Sequence, residues 1–90
     1  SLERDAEALD AYDQALALAP NNAIGWNSKG AALMALERYA EALAVFNRAL
    51  ELDPNYASAW ANMSTALGLL GHPLQARRAL RRAKKLGWQG

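Results

Sequence analysis

The side chains in this 90-residue chain with chemistry to offer are few. Two carboxylate pairs, Glu3/Glu7 and Glu37/Glu41, sit one helical turn apart. There is one histidine, His72, between Gly71 and Pro73, and two amides stand nearly one repeat apart, Asn27 and Asn62. Six cations crowd the C-terminal end: Arg77, Arg78, Arg81, Arg82, Lys84 and Lys85. Paired carboxylates do acid–base work when burial drives their pKa values apart. At this spacing on a polar helix face they are expected to be solvated surface charges. His72, in a Gly–Pro turn, is expected to face water. The chain has no cysteine, which removes disulfides, thiolate nucleophiles and Cys-based metal sites. One histidine makes no metal cluster. No phosphate-cradling glycine loop, His-Glu-x-x-His or Gly-x-Ser-x-Gly is present. No catalysis, metal or cofactor is therefore expected, and the weight falls on the amides and the cations as binding groups.

The elements that must position these groups follow from composition. Ala and Leu supply 36 of the 90 residues, against three β-branched ones, Ile24, Val45 and Thr65, so the chain is predicted to be all-α. No run of apolar residues is long enough to cross a bilayer. Residues 1–15 hold Glu3, Arg4, Asp5, Glu7, Asp10 and Asp13 where a leader peptide would be apolar, and a cytoplasmic location is the expectation.

Laid over itself at an offset of 34, the sequence matches at twelve of twenty-one positions between residues 2–22 and 36–56. Between 23–56 and 57–90 fewer residues are identical, but the large ones, Trp26/Trp60, Leu33/Leu67 and Leu52/Leu86, stay in phase. Apolar spacing of three and four predicts helices over 5–18, 23–35, 39–52, 57–70 and 73–86. Pro20-Asn21-Asn22 and Asp53-Pro54-Asn55 break between units, with Asn as the cap of the next helix. Gly71 and Gly87 end helices, Pro73 starts one, and Trp88 is expected to fold back on its cap. The result is one domain, residues 1–90: a half unit (1–22) and two full units (23–56 and 57–90). Each hairpin is too thin to bury its own face, so units must stack.

Trp26, Gly30, Leu33, Ala42, Phe46, Ala49 and Pro54 stand at places 4, 8, 11, 20, 24, 27 and 32 of the unit, and this pattern resembles the tetratricopeptide repeat. The third unit holds Trp60, Ser64, Leu67, Ala76, Leu80, Ala83 and Trp88 at those places. The half unit holds Ala8, Tyr12, Ala15 and Pro20. Departures are Glu3 and Glu37 for a turn glycine, Ser64 for a glycine and Trp88 for a proline. The resemblance implies a right-handed superhelical stack of antiparallel hairpins. Small Gly30 and Ala42 are expected to let backbones approach, with Trp26 and Phe46 filling the space beside them. It also implies a binding face on the inner, concave side, lined by the first helix of each unit. Here that means Ile24, Asn27, Ser28, Ala31, Met34 and Ala35, then Ser58, Ala61, Asn62, Thr65, Gly68 and Leu69. Asn27 and Asn62 are expected to read the backbone of an extended or helical peptide. Family members that clamp a chaperone's C-terminal carboxylate use Lys and Arg at places 2, 5 and 6. Here those places carry Ile24, Asn27, Ser28, Ser58, Ala61 and Asn62, so that ligand is not expected. Lys29, the one cation on these helices, is expected to reach back to Asp10 or Asp13.

Charge divides the chain. Residues 1–53 hold nine acids and four bases, residues 54–90 six bases and no acid. Where the second unit has Leu43 and Leu50 to cover its neighbour, the third has Arg77 and Lys84. The basic helix is expected to act as a soluble cap; an anion adaptor for nucleic acid or membrane is the alternative, disfavoured because interleaved aromatics are absent. At the other end Ala8, Tyr12 and Ala15 are expected to lie uncovered. This implies either that the chain is a fragment of a longer array or, as a further alternative function, that this edge pairs with a second copy about a two-fold axis to make a homo-oligomer. The expected function is a non-catalytic scaffold for a protein or peptide partner.

Overall fold

The computed structural model describes all 90 residues and contains five helices and no strand. They are α1 (Leu2–Leu18), α2 (Ala23–Ala35), α3 (Tyr39–Leu52), α4 (Ala57–Leu69) and α5 (Pro73–Lys85). The first helix begins three residues earlier than the apolar spacing indicates, because Ser1 caps it: its hydroxyl accepts from the Arg4 amide at 3.3 Å. α2–α3 and α4–α5 form the two full hairpins, and α1 adds the half unit. The inner helices α2 and α4 approach each other, while α1, α3 and α5 come close only to inner helices. That difference between the layers curves the stack and leaves its concave side to α2 and α4.

The same two turns are used repeatedly. Within the hairpins, the chain leaves a helix through a left-handed residue that closes a double hydrogen bond. After α2, Arg38 N–H donates to Leu33 O and Glu37 N–H to Met34 O, both at 2.9 Å. After α4, His72 and Gly71 repeat this on Leu67 and Gly68. After α5, Trp88 and Gly87 do so on Ala83 and Lys84, and Trp88 lies half-buried. Gly71 and Gly87 suit the required positive φ, but Glu37 adopts it too, at +60°. The departure from glycine leaves the turn unchanged and the strain in place. Between the units, Asn22 caps α2 as expected, its Oδ1 accepting from Gly25 N–H at 3.2 Å. Before α4 the cap position is Tyr56, which makes no such bond, and Asn55 does not replace it. Asp53 instead accepts from the Asn55 amide at 3.1 Å.

The core runs through α2–α5: Leu33, Ala42, Phe46, Ala49, Leu50, Ala59, Met63, Ala66, Leu67 and Ala79 form one buried cluster. Five of these ten are alanines, so the helices approach closely. At the centre the Phe46 ring lies against the backbone of Gly30. A Cβ on Gly30 would overlap it, coming within 2.7 Å of Cζ. The third unit solves the same crossing differently. Its counterparts are Ser64 and Leu80, and the Ser64 hydroxyl donates to Ala76 O across the hairpin at 2.7 Å. The residue at the place of Phe46 is here the smaller Leu80. The tryptophans differ from expectation. Trp26 and Trp60 are half-buried at the cluster's edge, and each indole N–H donates at 2.8 Å to the proline carbonyl of the turn before it, Pro20 or Pro54. An indole whose N–H needs a partner sits better at the rim than in an apolar centre.

Gly30→Ala should destabilise the fold by about 1–3 kcal/mol in urea unfolding, despite alanine's better helix propensity. Placing the third unit's pair into the second, Gly30→Ser with Phe46→Leu, should recover part of that loss. Glu37→Gly should raise stability by about 0.5–1 kcal/mol, since the left-handed strain relieved exceeds the added chain entropy.

Candidate peptide-binding face

The concave side is built from two parallel helix faces, and the structure divides the twelve side chains assigned to it. Ile24 and Leu69 stand well out, 66% and 56% exposed, and Ala31, Ala35, Thr65 and Gly68 are also exposed. Ser28, Met34, Ser58 and Asn62 are half-buried. Asn27 and Ala61 are buried, Asn27 at only 8% exposure, and lie between the inner helices.

The expectation that Asn27 reads a guest peptide is therefore corrected. Its Nδ2 donates to the Tyr56 hydroxyl at 3.3 Å and makes a longer contact of 3.5 Å with Ser58 Oγ. Its Oδ1 accepts from Asn62 Nδ2 at 3.1 Å. A buried amide with both ends engaged is part of the seam between units, where an unpaired polar group would be costly. The amide of Asn62 is partly used the same way, which leaves its carbonyl oxygen as the portion open to a ligand. One sequence signal pointed to this seam: Asn27 has no amide counterpart one period later, where Ala61 stands, but the next helix supplies Ser58 and Asn62 around it. Tyr56 replaces the capping Asn22 of the earlier turn, and so exchanges a cap for this long-range contact.

The electrostatics of the face are nearly neutral. Lys29 is the one cation on α2 and α4, and its Nζ pairs with Asp13 of α1 at 2.7 Å, as the sequence suggests. Its ammonium also sits 5.5 Å from the centre of the Trp26 ring. The carboxylate pairs lie on the surface. Glu41 is held by the Arg38 guanidinium through two bonds, Nε to Oε1 at 2.9 Å and a second to Oε2 at 2.7 Å. That hydrogen bonding lowers the Glu41 carboxyl below its ordinary value and raises Arg38 above its own. The pair's small, solvent-screened contribution is thus present above the ordinary carboxylate range and lost as pH falls through the depressed Glu41 value. Glu3, Glu7 and Glu37 are exposed, and His72 is exposed in its turn. No three His, Cys, Asp or Glu side chains converge to hold a metal ion. No helix is long and apolar enough to cross a membrane.

Two other surfaces singled out by sequence lie at the ends of the stack. On α1, Ala8 and Tyr12 are half-buried, Ala15 is exposed, and Leu18 is 89% exposed. On α5, Arg77, Arg78, Arg81, Arg82, Lys84 and Lys85 are all exposed and none is ion-paired.

Two tetratricopeptide repeat models match, one over residues 23–56 and one over 45–78. No curated protein matches in sequence. Among solved structures, the TPR2B domain of yeast Sti1, in a pHsp70 complex, is similar with 31% identity and a TM-score of 0.90. The match covers 93% of this chain and 67% of that one. The second TPR of Spaghetti (RPAP3), bound to the HSP90 peptide SRMEEVD, is similar at 26% identity and a TM-score of 0.89, covering 91% and 76%. The first TPR of the same protein, bound to the same peptide, shares the fold at 24% identity and a TM-score of 0.92, covering 94% and 68%.

Asn27→Ala should lower stability by about 1–3 kcal/mol, because it strands Asn62 and Tyr56 at the seam. Ser28→Ala, on the same helix but outside that network, should change it by less than about 0.5 kcal/mol. Denaturant titrations of the two variants beside wild type check the contrast.

Proposed function

The chain belongs to the tetratricopeptide repeat family, and from that premise we propose that it is a non-catalytic protein-interaction scaffold. Its concave face holds a peptide segment of a partner. The observation that carries this reading is the exposure of Ile24 and Leu69 on the two inner helices. They stand near opposite ends of the trough, about 17 Å apart along the helix axes at the α-helical rise. Between them the lining is small: Ala31, Ala35, Thr65 and Gly68. Large apolar residues left in water on a face with a small-residue floor favour an apolar or amphipathic guest.

The similar solved structures support peptide binding on this architecture, but this trough does not suit their acidic ligand. SRMEEVD is an acidic peptide, whereas the trough here has no free cation, Lys29 being engaged by Asp13. The proposed guest is therefore an uncharged or weakly charged segment with one or two apolar anchors, with Thr65, Ser28 and the Asn62 carbonyl meeting its backbone.

Selection from a displayed peptide library, followed by titration of the selected peptide, tests the reading. Ile24→Asp and Leu69→Asp should each weaken binding roughly tenfold or more, while the helical content stays that of wild type. Reversal of the α5 cations should leave it within about twofold. Peptides whose binding ignores both concave substitutions would remove the concave face as the site.

A further inference from the structure

The six cations of α5 have nothing around them to balance their charge. Residues 54–90 contain no other Asp, Glu, Lys or Arg. α4, the one helix against which α5 packs, is itself uncharged. Arg77 and Arg81, Arg78 and Arg82, and Arg81 and Lys85 each stand one turn apart, so like charges repel along the whole helix. The helix dipole favours Arg82, Lys84 and Lys85 in the last turn, but not the three arginines before them.

Keeping an end face soluble does not account for all six. On α3, the side chains that pack towards α4 include Leu43 and Leu50, whose places in α5 are taken by Arg77 and Lys84. The other four cations stand elsewhere. Arg78, Arg81 and Lys85 lie one period after Ala44, Asn47 and Glu51, which stay exposed on α3 although α4 is packed against that helix. Arg82 lies one period after Arg48, whose side chain keeps 43% exposure there. These four places therefore face water on the convex side whether or not a further hairpin is stacked on α5. Their side chains surround a shallow depression of about 170 Å³ that no apolar side chain lines.

We infer that this convex patch binds a nucleic-acid duplex through its phosphates alone. A protein partner needs apolar anchors at the centre of the contact, and the four cations enclose none. A single strand needs aromatic rings to stack on, and α5 has none, but a duplex gripped by its backbone needs no ring. A flat anionic membrane laid on the convex side would also meet Asp10 of α1 and Glu51 of α3, which are exposed at the places of Arg78 and Lys85. A rod can lie along α5 and avoid them. From Arg78 to Lys85 the helix rises about 10 Å, a length over which a duplex presents about six phosphate charges. Three of the four cations are arginines, whose forked guanidinium groups each hold two phosphate oxygens. Such contacts carry no base sequence. The patch is on the opposite side from the concave trough and does not depend on the guest proposed there.

Fluorescence anisotropy of a labelled DNA duplex of about 20 base pairs, titrated with the chain at about 50 mM and about 200 mM salt, tests this. The Kd should be about 1–10 μM at the lower salt. Four phosphate contacts predict a log–log salt slope of about −3.6, so binding should weaken about 100-fold between the two conditions. A duplex of unrelated sequence should bind within about twofold. Arg78→Gln/Lys85→Gln should reduce the slope by about 2, whereas Arg77→Gln/Lys84→Gln, with the same charge change, should move it by less than about 0.5. Glutamine preserves helix propensity, and circular dichroism checks that both variants are folded. No binding at the lower salt with up to about 100 μM protein overturns the proposal. So does an equal loss of slope in the two variants, which puts the contact on the Arg77–Lys84 face. Tighter binding of an oligothymidine, a polyglutamate peptide or phosphatidylserine vesicles than of the duplex overturns it as well.

Discussion

The Phe46 ring resting on the bare backbone of Gly30 sets how closely α2 and α3 approach, at the centre of the buried cluster. Because the helices come this close, alanines at 42, 49, 59, 66 and 79 can complete the core without leaving voids. The third unit has a different link across its hairpin, a Ser64 hydroxyl on the Ala76 carbonyl. At this crossing the two units differ at both places, Gly30 with Phe46 in one and Ser64 with Leu80 in the other.

The binding face follows from the same constraint. Inner helices α2 and α4 approach each other while the outer helices do not, so the inner surface is narrow and two of its side chains are drawn into the seam. Asn27 is the buried polar residue there; its bonds to Ser58 and Asn62 link consecutive units directly, and its bond to Tyr56 ties it to the turn between them. Such a network is directional where apolar packing is not, and it fixes how one unit is rotated on the next. The cost is recognition chemistry: the most versatile side chain on α2 holds the scaffold together and is not free for a guest.

Much of this was legible from residue types and spacing. The 34-residue period, the five helices, the Gly30–Phe46 crossing and the reach of Lys29 to Asp13 all depend on local periodicity or on small-against-large pairing, which a sequence displays. The role of Asn27 was not legible in the same way. Whether an amide at that place faces solvent or the neighbouring helix depends on Tyr56 and Ser58, some thirty residues away, and on the rotation between units. The rim position of the tryptophans was not legible either, because it depends on the indole N–H, which the Pro20 and Pro54 carbonyls hold there. Glu37 shows the converse. Its charge argues against a left-handed turn, yet the two hydrogen bonds closed by Glu37 and Arg38 keep it there.

The uneven distribution of the core has a kinetic consequence. Helices pack almost wholly on their chain neighbours, which is a topology of short loops and rapid folding, on the microsecond-to-millisecond scale for helical domains. The buried cluster lies in α2 to α5, whereas α1 adds one buried side chain, Leu16, outside it. Assembly should start at the Gly30–Phe46 crossing and spread outward, with the first helix docking last and fraying first. Amide hydrogens of α1 would then exchange with solvent far sooner than those of α3, without the remainder of the molecule opening.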